Sequence, residues 1–143
     1  MTPAPIRLFV YGTLLAGERD HALLRDSEPL GPAVTRPLYS LFEAGVYAAM
    51  VSGGSTAVRG ELYLVTLETL LAIDVAREVP LLFQRARVGL DDATEAEAYV
   101  MSQERVRGQR RLRRGDWLKR FRPNVERQPS AWSGWARARQ KKR

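Results

Sequence analysis

Apolar residues follow two different periods along the 143-residue chain. Runs of branched and aromatic residues are typical of β-strands. Such runs predict strands at 6–10, 34–42, 45–51 and 57–65. The segment Leu67–Ala76 changes to helical spacing, with Leu67, Leu70 and Leu71 expected on one face. Pro80 prevents that helix from continuing.

The segments Phe83–Leu90 and Glu95–Met101 predict a β-hairpin. Apolar residues alternate with arginines in the first segment and with glutamates in the second. Since matching the two apolar faces requires a loop of odd length, Asp91–Ala93 is the predicted turn. The same register places arginines and glutamates together on one solvated face. Tyr99 lies on that charged side, where it either lines a pocket or covers the sheet.

Several short strands with one or two short helices predict a single α+β domain built on a small, mixed, barrel-like sheet. The second helix is expected within 18–24, and the sequence contains no internal repeat. We predict that the domain spans residues 1–122. Residues 123–143 are polar and basic, and they are predicted to form a C-terminal tail.

The amino-acid composition argues against several kinds of functional site. The chain has no cysteine and one histidine, His21, which argues against disulfides, thiolate sites, a cysteine nucleophile and a zinc centre. Carboxylates and tyrosines remain for acid–base work, and we expect no metal and no cofactor. No apolar run approaches the roughly 20 residues of a membrane span, and no signal peptide is visible, so a cytoplasmic location is expected.

The net charge of +7 is unevenly distributed. Residues 1–104 hold 8 basic and 14 acidic residues, whereas residues 105–143 hold 15 basic and 2 acidic residues. Basic residues interleaved with Trp132 and Trp135 fit nucleic acid or an acidic partner. They fit a solubilising tail at least as well, because no recognised nucleic-acid motif accompanies them.

The segment Tyr11–Leu14, which reads Tyr-Gly-Thr-Leu, follows the first predicted strand directly. A glycine in a tight turn lets successive backbone N–H groups point into one concavity. Such a concavity binds a carboxylate or phosphate without a cationic side chain. Four residues alone fit an ordinary turn equally well, so the longer context matters.

That context extends from Phe9 to Gly17 and continues through Asp20, His21 and Leu24. Further matching segments follow in order: Gly45–Ala49, Gly60–Val65, Ile73–Asp74, Pro80–Arg85, Glu97–Val100 and Gly115–Trp117. Their order and spacing over residues 6–121 resemble the gamma-glutamylcyclotransferase superfamily, most closely its gamma-glutamylamine cyclotransferase branch.

The resemblance implies a transferase or lyase reaction in which the free α-amine of a γ-glutamyl group attacks its own side-chain carbonyl. The products are 5-oxoproline and a released amine or peptide, and no cofactor is needed. Because the attack is intramolecular, positioning supplies much of the rate. The resemblance assigns substrate binding to the turn: Tyr11, Gly12, Thr13, Leu14 and Leu15. A glutamate would move protons between the attacking and leaving nitrogens.

This sequence departs from the family at that glutamate. Counting from Asp74 and Pro80, the position holds Arg77, which stays protonated at physiological pH and is no general base. The next residue, Glu78, is the candidate catalytic residue, although one step along a helix turns a side chain by about 100°. Three explanations stay open. Either Glu78 swings into the pocket, or another carboxylate (Asp74, Glu43 or Glu61) replaces the missing one, or Arg77 forms a carboxylate- or phosphate-binding pocket with the turn. A plain surface ion pair of Arg77 with Asp74 is a fourth interpretation.

Overall fold

The computed structural model describes residues 4–121, which form eight β-strands and one α-helix. In chain order the strands are β1 (Ile6–Val10), β2 (Glu28–Val34), β3 (Tyr39–Ala44), β4 (Tyr47–Ser52), β5 (Arg59–Val65), β6 (Gln84–Gly89), β7 (Glu95–Val100) and β8 (Arg110–Arg111). Helix α1 (Leu67–Ala76) lies between β5 and β6. Three short 3₁₀ turns complete the set: Gly12–Leu14, His21–Leu24 and Trp117–Lys119.

Strand β1 is the centre of a five-stranded sheet with the order β2-β5-β1-β7-β6. It pairs antiparallel with β5 and parallel with β7. Leu8, Phe9 and Val10 are buried on both faces of the sheet, which explains the unbroken apolar run in the sequence. Strand β2 was not predicted, because Pro29 and Pro32 interrupt it; both are compatible with its place at the sheet edge.

The predicted hairpin is confirmed in β6 and β7. Ala86 pairs with Ala98. The chain turns through residues 91–93, and the Leu90 N–H donates to the Thr94 carbonyl oxygen across this turn. Arginines and glutamates share the outer face, where Arg87 lies 3.6 Å from Glu95. Pairing register was predictable here because a one-residue slip would turn the apolar side chains of one strand to the solvated face.

Strands β4, β3 and β8 form a second, antiparallel sheet in that order. The two sheets join where the Met101 N–H donates to the Met50 carbonyl oxygen over 2.9 Å. The predicted α+β class is therefore confirmed, with the strands of residues 4–121 divided into two sheets that do not close into a barrel.

Thr66 caps the N-terminus of helix α1, because its hydroxyl accepts a bond from the Thr69 N–H. Its buried residues are Leu70 and Ile73. The predicted face was wrong in part, because Leu67 and Leu71 are exposed. The inward row has the spacing i, i+3, i+7, and its next member after Leu70 and Ile73 is residue 77. The helix therefore delivers whatever occupies position 77 into the protein.

No helix among residues 4–121 is long and apolar enough to cross a membrane. The predicted tail, 123–143, lies outside the described residues.

Candidate functional site

The turn after β1 is held open by Gly12. Its φ of 68° is in the left-handed region that favours glycine, and a Cβ at this position would overlap the Cβ of Ala48. Gly12, Thr13, Leu14 and Leu15 are all buried. In the described part of the chain, no group accepts a hydrogen bond from the Gly12 or Thr13 N–H. These two donors are suited to an anion.

Tyr11 anchors the turn. Its hydroxyl donates to the Tyr99 carbonyl oxygen over 2.7 Å and accepts from the Met50 N–H over 2.9 Å. Burial raises the pKa of Tyr11 far above its usual value, against smaller opposing effects of the Met50 bond and the Arg77 charge. Tyr11 therefore acts here as a neutral link between β1, β4 and β7.

Arg77 points inward from the C-terminal end of α1, and only 4% of its surface is exposed. Its guanidinium donates to the Thr13 hydroxyl over 2.8 Å and to the Asp20 carboxylate over 3.2 Å. The guanidinium carbon also lies 4.8 Å from the centre of the Tyr47 ring and 5.7 Å from that of Phe83. Helix α1 thus brings a cation directly against the turn.

The pairing of Arg77 with Asp74 that the sequence suggested is not what the structure shows. Asp74 instead accepts from Arg85 over 3.0 Å and from the Tyr99 hydroxyl over 2.7 Å. Helical spacing places residues 74 and 77 within reach, but position 77 faces the core and finds its partners on another segment. Tyr99 is 2% exposed, and its hydroxyl is committed to α1. It covers the sheet and fixes the helix, and a direct ligand contact stays a prediction.

Asp20 joins the site from the loop that follows the turn. It accepts from the Thr13 hydroxyl over 2.7 Å and forms ion pairs with both Arg77 and Arg19 over 3.2 Å. Burial alone would raise the pKa of Asp20, but hydrogen bonds from Arg19 and Thr13 and the charges of both arginines hold it below its usual value. Arg19 also lies over the Tyr47 ring, 5.6 Å from its centre.

We call this set, Thr13, Arg19, Asp20, Tyr47 and Arg77, the arginine site. Two guanidiniums and one carboxylate leave a formal charge of +1. One arginine is buried and the other is half exposed, with side-chain exposures of 5% and 51%. Sequence reasoning missed the roles of Arg19, Asp20 and Tyr47. Asp20 belonged to a matching segment, but its contact with Arg77 joins residues 57 positions apart.

Glu78, the candidate catalytic residue, follows α1 with a left-handed φ of 54° and an exposed side chain. Its catalytic role stays a prediction. Of the other carboxylates proposed as replacements, Asp74 and Glu43 form ion pairs with Arg85 and Arg110. Within residues 4–121, no group of three or more histidine, aspartate or glutamate side chains is placed to hold a metal ion.

Comparison with known proteins identifies related sequences. The family model described as "Gamma-glutamyl cyclotransferase, AIG2-like" matches residues 8–119. A "putative gamma-glutamylcyclotransferase" of Vibrio cholerae is 38% identical over 113 residues, which cover 79% of this chain and 96% of that protein.

Solved structures show the same fold. Protein ytfP of Escherichia coli is 30% identical with a TM-score of 0.63, over 80% of this chain and 98% of that one. An AIG2-like protein from Mus musculus is 22% identical with a TM-score of 0.62, over 90% of each chain.

Proposed function

The chain belongs to the gamma-glutamyl cyclotransferase, AIG2-like family, and we propose that it binds small carboxylate ligands of the γ-glutamyl type at the arginine site. The observation that carries this proposal is the buried guanidinium of Arg77, hydrogen-bonded to Thr13 in the turn. At this position the resemblance placed a glutamate that moves protons. A cation there binds an anion and accepts no proton.

The chemistry of arginine supports a carboxylate ligand. A guanidinium carries five N–H donors in a planar fork that matches a carboxylate in two-point contact. Its bonds to Thr13 and Asp20 use two of these donors. The ring of Tyr47 covers one side of the guanidinium and reduces its contact with water, which strengthens its attraction for an anion.

The turn supplies the complementary half of the contact. The N–H groups of Gly12 and Thr13 have no acceptor in the described residues, and both residues are buried. A ligand carboxylate held there is neutralised by Arg77, whereas Asp20 disfavours a second anion at the same spot. A γ-glutamyl compound carries one carboxylate beside an α-ammonium group, and this pair of charges is complementary to Arg77 and Asp20.

Turnover to 5-oxoproline with release of the amine is the second candidate function. Family membership favours it, and the Asp20 carboxylate lies 2.7 Å from the Thr13 hydroxyl, beside the turn. The lowered pKa of Asp20 makes it a weak proton acceptor at neutral pH. We therefore expect any cyclisation that depends on Asp20 to be slow, and Glu78 remains the alternative proton acceptor.

The test measures binding and turnover on the same samples. Isothermal titration of the full chain with glutarate, L-glutamine and a γ-glutamyl alkylamide gives the affinities, and chromatography of the mixtures detects 5-oxoproline. We expect saturable binding that Arg77→Met weakens by tenfold or more, without product above the uncatalysed background. Arg25→Gln is the matched control, because Arg25 is exposed and its guanidinium donates to the Ala22 carbonyl oxygen, away from the arginine site.

Each outcome decides between the two candidates. Binding without product supports the carboxylate-binding function. If the unmodified chain forms 5-oxoproline, and Asp20→Asn or Glu78→Gln does not, the function is cyclisation and the substituted residue is the proton acceptor. If none of the three compounds binds saturably to the unmodified chain, the proposed function is wrong.

A further inference from the structure

Glu61 differs from the other partly buried carboxylates of residues 4–121 in having neither an arginine partner nor a capping role. Seven carboxylates among residues 4–121 are neither exposed nor fully buried. Five of them form ion pairs with arginine: Glu18, Asp20, Glu43, Asp74 and Glu97. Asp116 caps the last 3₁₀ turn through the Leu118 N–H. Glu61 alone lacks both a cation within 4 Å and a capping role.

The donors that do reach Glu61 are neutral. Its Oε1 accepts from the Ala16 N–H over 3.1 Å and from the Tyr63 hydroxyl over 2.9 Å. Burial, with the bond to Glu61 and its charge, raises the pKa of Tyr63 to about 12, so that hydroxyl stays neutral at physiological pH. The negative charge of the carboxylate is therefore solvated by protein dipoles and is not neutralised.

This charge lies in an apolar groove. A depression of about 280 Å³ beside Glu61 is lined by Ala16, Pro29, Gly31, Pro32, Leu62 and Tyr63. We call it the Glu61 groove. Its walls are mostly aliphatic and aromatic carbon, and Glu61 is its only charged member. Since a water molecule takes about 30 Å³ in the liquid, the groove has room for a small organic molecule.

We propose that the Glu61 groove binds small alkylammonium ions. The ammonium group pairs with the Glu61 carboxylate, and the alkyl chain lies against Pro29, Pro32 and the Tyr63 ring. Apolar walls lower the local dielectric and so strengthen the ion pair relative to a fully solvated one. Burial of the alkyl chain adds a hydrophobic contribution that a bare ammonium ion lacks.

The Glu61 groove is separate from the arginine site. The two sites share no residue, although the turn that serves the arginine site continues directly into Ala16. Binding in the groove can therefore be measured at residues that belong to the groove. The Ala16 amide is the natural reporter, because its hydrogen bond to Glu61 changes when the carboxylate gains a cation.

The experiment compares three ligands of the unmodified full chain by amide chemical shifts in two-dimensional NMR. They are n-butylamine at neutral pH, its uncharged counterpart n-butanol, and ammonium chloride. We expect n-butylamine to shift the Ala16 and Leu62 amides saturably, with an affinity at least tenfold higher than either control. Glu61→Gln should reduce that affinity tenfold or more, and Glu43→Gln, on a carboxylate paired with Arg110, should leave it unchanged.

If ammonium chloride shifts these amides as much as n-butylamine does, the shifts come from charge alone and the proposal is overturned. If n-butanol shifts them as much as n-butylamine does, the shifts come from apolar contact alone and the proposal is also overturned. The absence of saturation with n-butylamine also overturns it. Because these comparisons use the unmodified chain, they give the answer even if Glu61→Gln does not fold.

Discussion

The ion pair between Arg77 and Asp20 connects α1 to the loop after the turn, and its contribution to stability can be measured. The perturbation is Arg77→Met, which removes the charge and keeps a long side chain. It is combined with Asp20→Asn and with the double variant. This cycle isolates the interaction between the two side chains from the effect of each substitution alone.

The structure bounds the magnitude. At 3.2 Å and an effective dielectric constant near 20, the attraction has a ceiling of about 5 kcal/mol. Desolvation of the buried guanidinium offsets part of it. The Asp20 side chain is 21% exposed and keeps Arg19 as a partner, which lowers the loss further. A hydrogen bond to a charged group contributes about 1.5–3 kcal/mol. We therefore expect Arg77→Met to destabilise the fold by about 2–3 kcal/mol, with a coupling to Asp20 of about 1–2 kcal/mol.

Urea unfolding at pH 7, followed by circular dichroism, measures all four proteins. A change in the midpoint at constant slope reports stability alone. The same series repeated downward in pH gives a second signature. Because the pKa of Asp20 is lowered in the folded state, its stabilising effect is complete above the unfolded value of about 3.9. It is lost as the pH falls through the folded value.

Two results would contradict this reasoning. Single effects that add to within about 0.5 kcal/mol in the double variant would mean that the two side chains do not interact energetically. The second is a stability difference at low pH. If the unmodified chain is still more stable than Asp20→Asn when the carboxylates are protonated, the stability comes from packing and not from charge.

Three further outcomes follow from the same geometry. Gly12→Ala should lower the free energy of unfolding by about 2 kcal/mol or more, because the backbone is left-handed and the new Cβ would overlap Ala48. Gly17→Ala has open space around it, so a thermal melt should show a smaller loss of stability. Tyr99→Phe should increase hydrogen exchange at α1, since its hydroxyl holds the helix, and leave exchange at the turn unchanged, since the carbonyl oxygen that holds Tyr11 is retained; unchanged exchange at α1 would contradict that linkage. Above pH 10, the raised pKa of Tyr11 should reduce stability by up to about 1.4 kcal/mol per pH unit, and Tyr11→Phe should show a shallower decline in alkaline unfolding titrations.

The sequence alone determined the local elements that depend on neighbouring residues. The strand at 6–10, the helix at 67–76 and the hairpin turn at 91–93 were predictable, because period, Pro80 and pairing register act over a few positions. Ordered motifs also indicated the family before any coordinates. Strand β2 was missed because its prolines are compatible with a strand only at a sheet edge, and position in a sheet is a tertiary property.

Tertiary structure decided what surrounds position 77. The sequence showed that Arg77 replaces a proton-transferring glutamate, and it left an exposed pair with Asp74 and a binding pocket both open. The fold turned residue 77 onto the buried row of α1 and placed Thr13 and Asp20 opposite it. A charged side chain is retained in the interior only where partners from distant segments neutralise it. Their arrival depends on how sheets and helix pack, which local sequence patterns do not encode.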